Sequence, residues 1–116
     1  MLGVDIEEVK RFNKYLKNLN IIKRIFSQEE IDYSFSKKNV AQHLAVRFAA
    51  KEAVWKALSG SNKKVAITDI KVINDKYGKP EVFIKDKKTA KINLSISHTN
   101  KYAVAVAIFC KNLKSI

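Results

Sequence analysis

The chain has 116 residues, 47% hydrophobic and 29% charged, with 23 Lys and Arg against 11 Asp and Glu for a formal charge of +12. This predicts one globular domain over residues 1–116 with a modest core. No apolar run approaches the ~20 residues that span a bilayer, the first residues lack the pattern of a signal peptide, and the single Cys110 cannot form an internal disulfide, so the expected setting is cytoplasmic, with no membrane association.

The positive excess attracts polyanions: nucleic acid, acidic proteins or phosphorylated small molecules. A generally lysine-rich surface accounts for it equally well. The lysines are scattered along the chain rather than gathered in a tail, which counts against a disordered nucleic-acid-binding arm.

Leu2 to Ile6 alternates around Val4 and predicts a short strand with Asp5 near its end. Glu7 to Leu19 predicts a helix, because Val9, Phe12, Leu16 and Leu19 recur at helical spacing while Lys10, Arg11, Lys14 and Lys17 fall mostly on the other side. Glu7 and Glu8 suit the positive end of its dipole. Ile21, Ile22 and Ile25 extend the apolar pattern, which leaves the helix end undefined. Phe26-Ser27-Gln28-Glu29-Glu30 is a capping-box pattern and predicts a short helix from Gln28 to about Phe35. Ser36 to Asn39 is a polar break.

Val40 to Leu58 follows, with 13 of its 19 residues apolar and no Gly or Pro. On a helix the apolar residues go almost all the way round, as in a core or an interface. His43, Arg47 and Lys51 follow at four-residue steps along one face, while Glu52 and Lys56 emerge elsewhere. A carboxylate in such surroundings needs a partner. Gly60 is the expected C-cap.

Ser61 to Lys64 is a basic loop. Val65 to Asn74 predicts a strand, Lys76-Tyr77-Gly78-Lys79 a turn, and Pro80 the start of the return strand Glu81 to Ile84. Asp86 to Lys91 is read as a loop or helical turn. Ile92, Leu94 and Ile96 alternate with Asn93, Ser95 and Ser97 in a half-buried strand; His98 to Lys101 is a turn. Tyr102 to Cys110 is continuously apolar and predicts a central strand buried on both faces, and Lys111 to Ile116 a polar tail. One strand, then helices, then strands predicts an α+β fold with helices packed on an antiparallel sheet. The all-round apolar helix points to a further covered surface, and a second copy of the chain is one candidate cover.

Four groups of residues are candidates for chemistry. Asp5 and Glu52 offer the hard oxygens that suit Mg²⁺; the plainer alternative, favoured by spacing alone, has Asp5 capping the following helix and Glu52 paired with Lys56. Arg47, Lys51 and Lys56 are phosphate ligands by type or a solvated helix face. Gly78 in Tyr77-Gly78-Lys79-Pro80 lets backbone approach a ligand or simply turns the chain. In Ser95-Ile96-Ser97-His98-Thr99, His98 is a hydrogen-bond donor to phosphate or, with a serine, a nucleophile pair, although no nucleophile elbow is present; the plainer alternative is a strand facing solvent. With two histidines and one cysteine, a zinc centre is not expected.

Taken together, Gly3-Val4-Asp5-Ile6 with Arg11, Phe26-Ser27-x-x-Glu30, Arg47-Phe48-Ala49-Ala50-Lys51-Glu52-Ala53-x-x-Lys56-Ala57, Gly78-Lys79-Pro80 and Ser95-Ile96-Ser97-His98-Thr99 with Tyr102-Ala103 closely resemble holo-[acyl-carrier-protein] synthase, the short bacterial class of 4′-phosphopantetheinyl transferase. The resemblance runs from residue 3 to about residue 109; Ser27 stands where Thr is usual. It implies transfer of the 4′-phosphopantetheine arm of coenzyme A to a serine of apo-acyl carrier protein, with release of adenosine 3′,5′-bisphosphate, as a step that serves fatty acid biosynthesis. It implies Mg²⁺ held by Asp5 and Glu52, catalysis by Asp5, Glu52 and Lys56, and coenzyme A bound by Arg47, Lys56, Gly78, Lys79, Pro80 and His98. It also implies a homotrimer with active sites between neighbouring subunits, and it gives the positive charge a use in docking an acidic carrier protein on Lys10, Arg11, Lys14 and Arg24. The competing reading is a non-enzymatic basic module for nucleic acid or a phosphorylated ligand. It requires exposed aromatics among the lysines, whereas most aromatics here fall on apolar faces, so no nucleic-acid partner is expected.

Overall fold

The computed structural model describes residues 1–60 and 64–110. The polar tail and most of the expected basic loop lie outside them. Strand β1 (Leu2–Glu8) leads into α1 (Val9–Asn13), a 3₁₀ turn (Lys14–Lys17), α2 (Leu19–Ile25), α3 (Gln28–Phe35) and the long α4 (Val40–Leu58). A 3₁₀ turn (Ile67–Asp69) precedes β2 (Ile70–Asn74), β3 (Pro80–Ile84), β4 (Lys87–Thr89), β5 (Ile92–His98) and β6 (Tyr102–Phe109). The fold is α+β, and its strands form two antiparallel three-stranded sheets, β1-β6-β5 and β2-β3-β4. None of the described helices is long and apolar enough to cross a membrane.

The first sheet carries α4 on one face. Gly3, Asp5 and Glu7 of β1 pair with Ala107, Ala105 and Ala103 of β6. Paired residues share a face, so glycine, alanines and carboxylates line the side under the helix. This small-residue floor lets α4 come close: a Cβ on Gly3 would run into the backbone carbonyl of Ala53. Ala49, Ala50, Ala53 and Ala57 of α4 are fully buried. The other face of the sheet presents Leu2, Val4, Ile6, Val106 and Ile108, all exposed.

The second sheet is fixed to α4 through a buried ion pair. Lys51 Nζ lies 2.8 Å from Glu30 Oε1, and both side chains are essentially inaccessible to solvent. Glu30 also closes the capping box with Ser27 and accepts from the Val72 backbone N–H at 2.9 Å. One carboxylate thus joins α3, α4 and β2, with both of its oxygens accepting from donors.

Several expectations are corrected. The helix foreseen from Glu7 to Leu19 is three pieces: β1 runs on to Glu8, and Asn18 starts α2 by accepting from the Ile21 N–H. Asp5 lies within β1 and caps no helix. The strand expected to begin at Val65 begins at Ile70, after the 3₁₀ turn. Residues Lys87–Thr89, read as part of a loop or helical turn, pair with β3 across a two-residue hairpin whose Lys85 and Asp86 both have positive φ. Gly60 lacks the left-handed conformation of a C-cap, and Ser59 closes α4 by donating from N–H and Oγ to the Lys56 carbonyl. Strand β6 is central in its sheet, yet within one chain only one of its faces is buried.

Candidate active site

The predicted site residues fall into two groups on different sides of α4. At about 100° per residue, Arg47 and Lys56 point roughly 180° apart around the helix axis, and Arg47 and Glu52 roughly 140°.

The first group is acidic. Asp5 projects from the inner face of β1, and its Oδ2 is buried without a hydrogen-bond partner. Lys56 Nζ sits 3.4 Å from Asp5 Oδ1 and donates to the Val4 carbonyl at 3.1 Å. Spacing alone had favoured a Glu52–Lys56 pair, whereas the lysine pairs with Asp5. Burial, then the nearby Asp5 charge, raises the pKa of Glu52 above the usual carboxylate range. Glu7 belongs to the same cluster. It is buried, with one oxygen 2.8 Å from Arg11 Nη1, and burial reinforced by Asp5 pushes its carboxyl up to about 8.

The sequence reading missed Glu7 by assigning it to the start of a helix. Its signal was the two-residue step from Asp5 along an uninterrupted strand.

Among the described residues no three His, Cys, Asp or Glu side chains are arranged to hold a metal by themselves. Asp5 and Glu52 nevertheless fit Mg²⁺. They supply two hard oxygens, one of them buried and unpartnered, and this ion ordinarily completes its shell with water and substrate phosphate.

The second group is basic and surrounds a cavity of about 400 Å³. Arg47, Gly78, Pro80 and His98 all line it, together with Tyr33, His43 and Asn74. Arg47 is only 3% exposed, and its Nε and Nη2 have no hydrogen-bond partner. Its guanidinium carbon stands 4.6 Å from the centroid of the Tyr33 ring. Burial pulls the Arg47 pKa down, partly offset by Tyr33 and Glu30, and its unsatisfied Nε and Nη2 are donors suited to an anion. Asn74 donates to the Tyr33 hydroxyl at 3.0 Å, which fixes the ring beneath the guanidinium.

The 75–79 turn forms one rim. The Asp75 carboxylate accepts from the Tyr77 and Lys79 N–H groups, and Gly78 adopts a φ of 85° that its lack of a Cβ permits. Lys79 lines a neighbouring cavity with Asp75, Glu81 and Lys88 instead. His98 ends β5 on the opposite face of the strand from Ser95 and Ser97, since successive residues alternate; this does not form a nucleophile pair. Lys51, on the same helix face as His43 and Arg47, is committed to Glu30.

The α+β fold thus carries an acidic cluster on one side of its central helix and a cavity lined by Arg47, His43 and His98 on the other, and residues 1–107 match the 4′-phosphopantetheinyl transferase superfamily. The chain is 44% identical over 116 residues to the holo-[acyl-carrier-protein] synthase of Treponema denticola, covering 92% of this chain and 94% of that one. It is 43% identical to the synthase of Caldanaerobacter subterraneus subsp. tengcongensis, covering 92% and 91%. A solved holo-(acyl-carrier-protein) synthase from Bacillus anthracis, in complex with CoA (3′,5′-ADP), superimposes with a TM-score of 0.77 at 35% identity over 93% of both chains. The Helicobacter pylori synthase in complex with coenzyme A gives 0.77 at 28% identity, over 94% of this chain and 99% of that one. The chain therefore belongs to the holo-[acyl-carrier-protein] synthase family.

Proposed function

We propose that this protein transfers the 4′-phosphopantetheine group of coenzyme A to a serine of apo-acyl carrier protein, releasing adenosine 3′,5′-bisphosphate and so supporting fatty acid biosynthesis. The observation that carries this reading is the similarity, over 93% of both chains, to a synthase bound to CoA, with an acidic cluster and an anion cavity formed by this chain's own residues. The same similarity leaves the non-enzymatic binding module without support. We treat residues 1–116 as one transferase domain acting in the cytoplasm.

In the reaction the serine oxygen attacks the β-phosphorus. The new P–O bond to serine forms as the P–O bond to the departing nucleotide breaks, and the hydroxyl proton is released to a base. The protein must neutralise charge spreading over phosphoryl oxygens. Asp5 and Glu52 would hold Mg²⁺, and the ion would supply part of that charge stabilisation. Lys56 supplies another part: its ammonium is half-exposed and able to turn from Asp5 and the Val4 carbonyl to a phosphate. The released proton goes to water or to the Glu52 carboxylate. Arg47, Gly78, Pro80 and His98 hold the nucleotide end, with Lys79 beside them.

Because the two groups face different sides of α4, one substrate engages both only if neighbouring copies each supply one. The exposed apolar face of β1 and β6, where Leu2 is 65% and Ile6 63% accessible, supports a homotrimer with sites between subunits. The exposed basic side chains Lys10, Arg11, Lys14 and Arg24 support docking of an acidic carrier protein. The test is the mass of an apo-carrier protein before and after incubation with this protein, coenzyme A and Mg²⁺. A gain of one phosphopantetheine group is expected; no gain on any apo-carrier protein overturns the proposal.

A further inference from the structure

His43 stands one helical turn before Arg47 on α4 and lines the same cavity. The Tyr33 ring that underlies the guanidinium meets the His43 imidazole edge-on, with centroids 5.7 Å apart. His98 enters from the end of β5. From α3 the facing titratable group is Tyr33, with Lys37 just past the helix end, its Nζ 4.9 Å from the Tyr33 centroid. Strands β2 and β3 contribute only the uncharged Asn74 and Pro80. Glu30 reaches Arg47 electrostatically, but its oxygens are engaged by Lys51, Ser27 and Val72. The charges acting on His43 are Arg47, Lys37 and His98, with no carboxylate among them, and burial followed by those charges pulls its pKa down. These surroundings disfavour the imidazolium. A dianion seated against Arg47 reverses the local potential and favours the imidazolium.

Coenzyme A carries two kinds of anion, a diphosphate and a terminal phosphomonoester. On the reading above, the diphosphate is handled by Asp5, Glu52 and Lys56, which leaves the phosphomonoester for the Arg47 cavity. That group has a second pKa near 6 and is largely a dianion at neutral pH.

We propose that His43 is a specificity-determining residue for the phosphomonoester of coenzyme A, forming with Arg47 and His98 a proton-linked clamp that takes up a proton as that group is seated. The inference rests on the transferase reading and adds to it a chemical selectivity and a pH dependence. The imidazolium's share of the affinity is present below its bound-state pKa and is lost as pH rises through it.

The test is calorimetric titration of the wild-type protein, His43→Phe and His43→Gln with coenzyme A and with 3′-dephospho-coenzyme A. It is run near pH 7 in two buffers of different ionisation enthalpy, so that proton uptake is read directly, and thermal melts confirm folding. Wild type should take up protons with coenzyme A and markedly fewer with the dephospho compound. Both variants should lose much of that uptake. They should also bind coenzyme A about tenfold more weakly, the size of one charge-assisted hydrogen bond, with little change toward the dephospho compound. Glutamine keeps hydrogen bonding without the titratable charge, so retained uptake in the folded Gln variant overturns the proton-linked role. Equal wild-type affinity for the two compounds, with transfer activity intact, overturns the clamp and spares the transferase reading. Absence of both binding and transfer overturns the transferase reading itself.

Discussion

Glu52 illustrates how far a residue's role depends on its neighbours. Its apolar surroundings on α4 required a partner, and the nearest candidate by spacing was Lys56. In the structure Lys56 turns to Asp5 and the Val4 carbonyl, and Glu52 is left facing Asp5 with its proton affinity raised. Two carboxylates in one low-dielectric place repel each other unless a cation or a proton intervenes. Glu52→Gln should therefore fold normally, with an unchanged or slightly raised melting temperature. It should lose transfer activity by roughly 100-fold or more, the scale of removing a charge-stabilising group from an active site. Wild-type-like turnover, followed by the mass of the carrier protein, would remove Glu52 from the site. Glu7 was hidden for a different reason. A carboxylate on the covered face of a strand contradicts the ordinary inside-outside pattern, so the segment looked like a helix start. The same inversion sets Asp5 and Glu7 under α4 and leaves Leu2, Val4 and Ile6 exposed on the other face.

Between elements, two constraints hold the site together. Gly3 sets how closely β1 approaches α4, because any side chain there meets the Ala53 backbone. Gly3→Ala should cost about 2 kcal/mol or more of stability by overpacking. Activity should fall as well, since Asp5 moves relative to Glu52; denaturant melts and the transfer assay would read the two effects separately. The Glu30–Lys51 pair plays the corresponding part for the second sheet. Glu30→Gln and Lys51→Met each leave one buried charge of the pair without its partner and should each destabilise by about 3–5 kcal/mol, whereas the two combined, with the Gln oxygen still accepting from Val72, should recover much of that loss. Chemical denaturation of the three proteins decides it; additive losses in the double variant would show that the pair is not coupled.

The capping box of α3 and the all-round apolar α4 were both legible in the sequence, because caps and helical periodicity are local signals. Strand β4 was not legible. Lys-Lys-Thr has no apolar alternation, and pairing with β3 alone makes it a strand. The break at Asn18 was equally obscure, since the apolar spacing continues across it.

For the whole molecule the decisive feature is the bare apolar face of β1 and β6. Val106 and Ile108 stand in a segment so continuously apolar that burial on both sides was expected, yet one chain covers one side only. Val106→Asp should place a charge within the proposed subunit contact. Size-exclusion chromatography with light scattering should then shift from trimer to monomer, and transfer should fall by at least about tenfold, because the Arg47 cavity and the Asp5–Glu52 cluster no longer meet. A monomeric wild type with full activity would sink the trimeric arrangement.

The sequence by itself determined the α+β class, the central helix, the capping box of α3 and, through the spacing of its motifs, the membership in this transferase family. These rest on periodicity and on short stretches whose chemistry is local. Only the tertiary structure decided which carboxylates face one another, that Lys56 answers Asp5, that the strands divide into two sheets, and that the cavity-lining basic residues and the acidic residues lie on different sides of one helix. Those outcomes depend on the rotation of α4 about its axis and on which elements cover it, quantities set by packing between residues far apart in the chain.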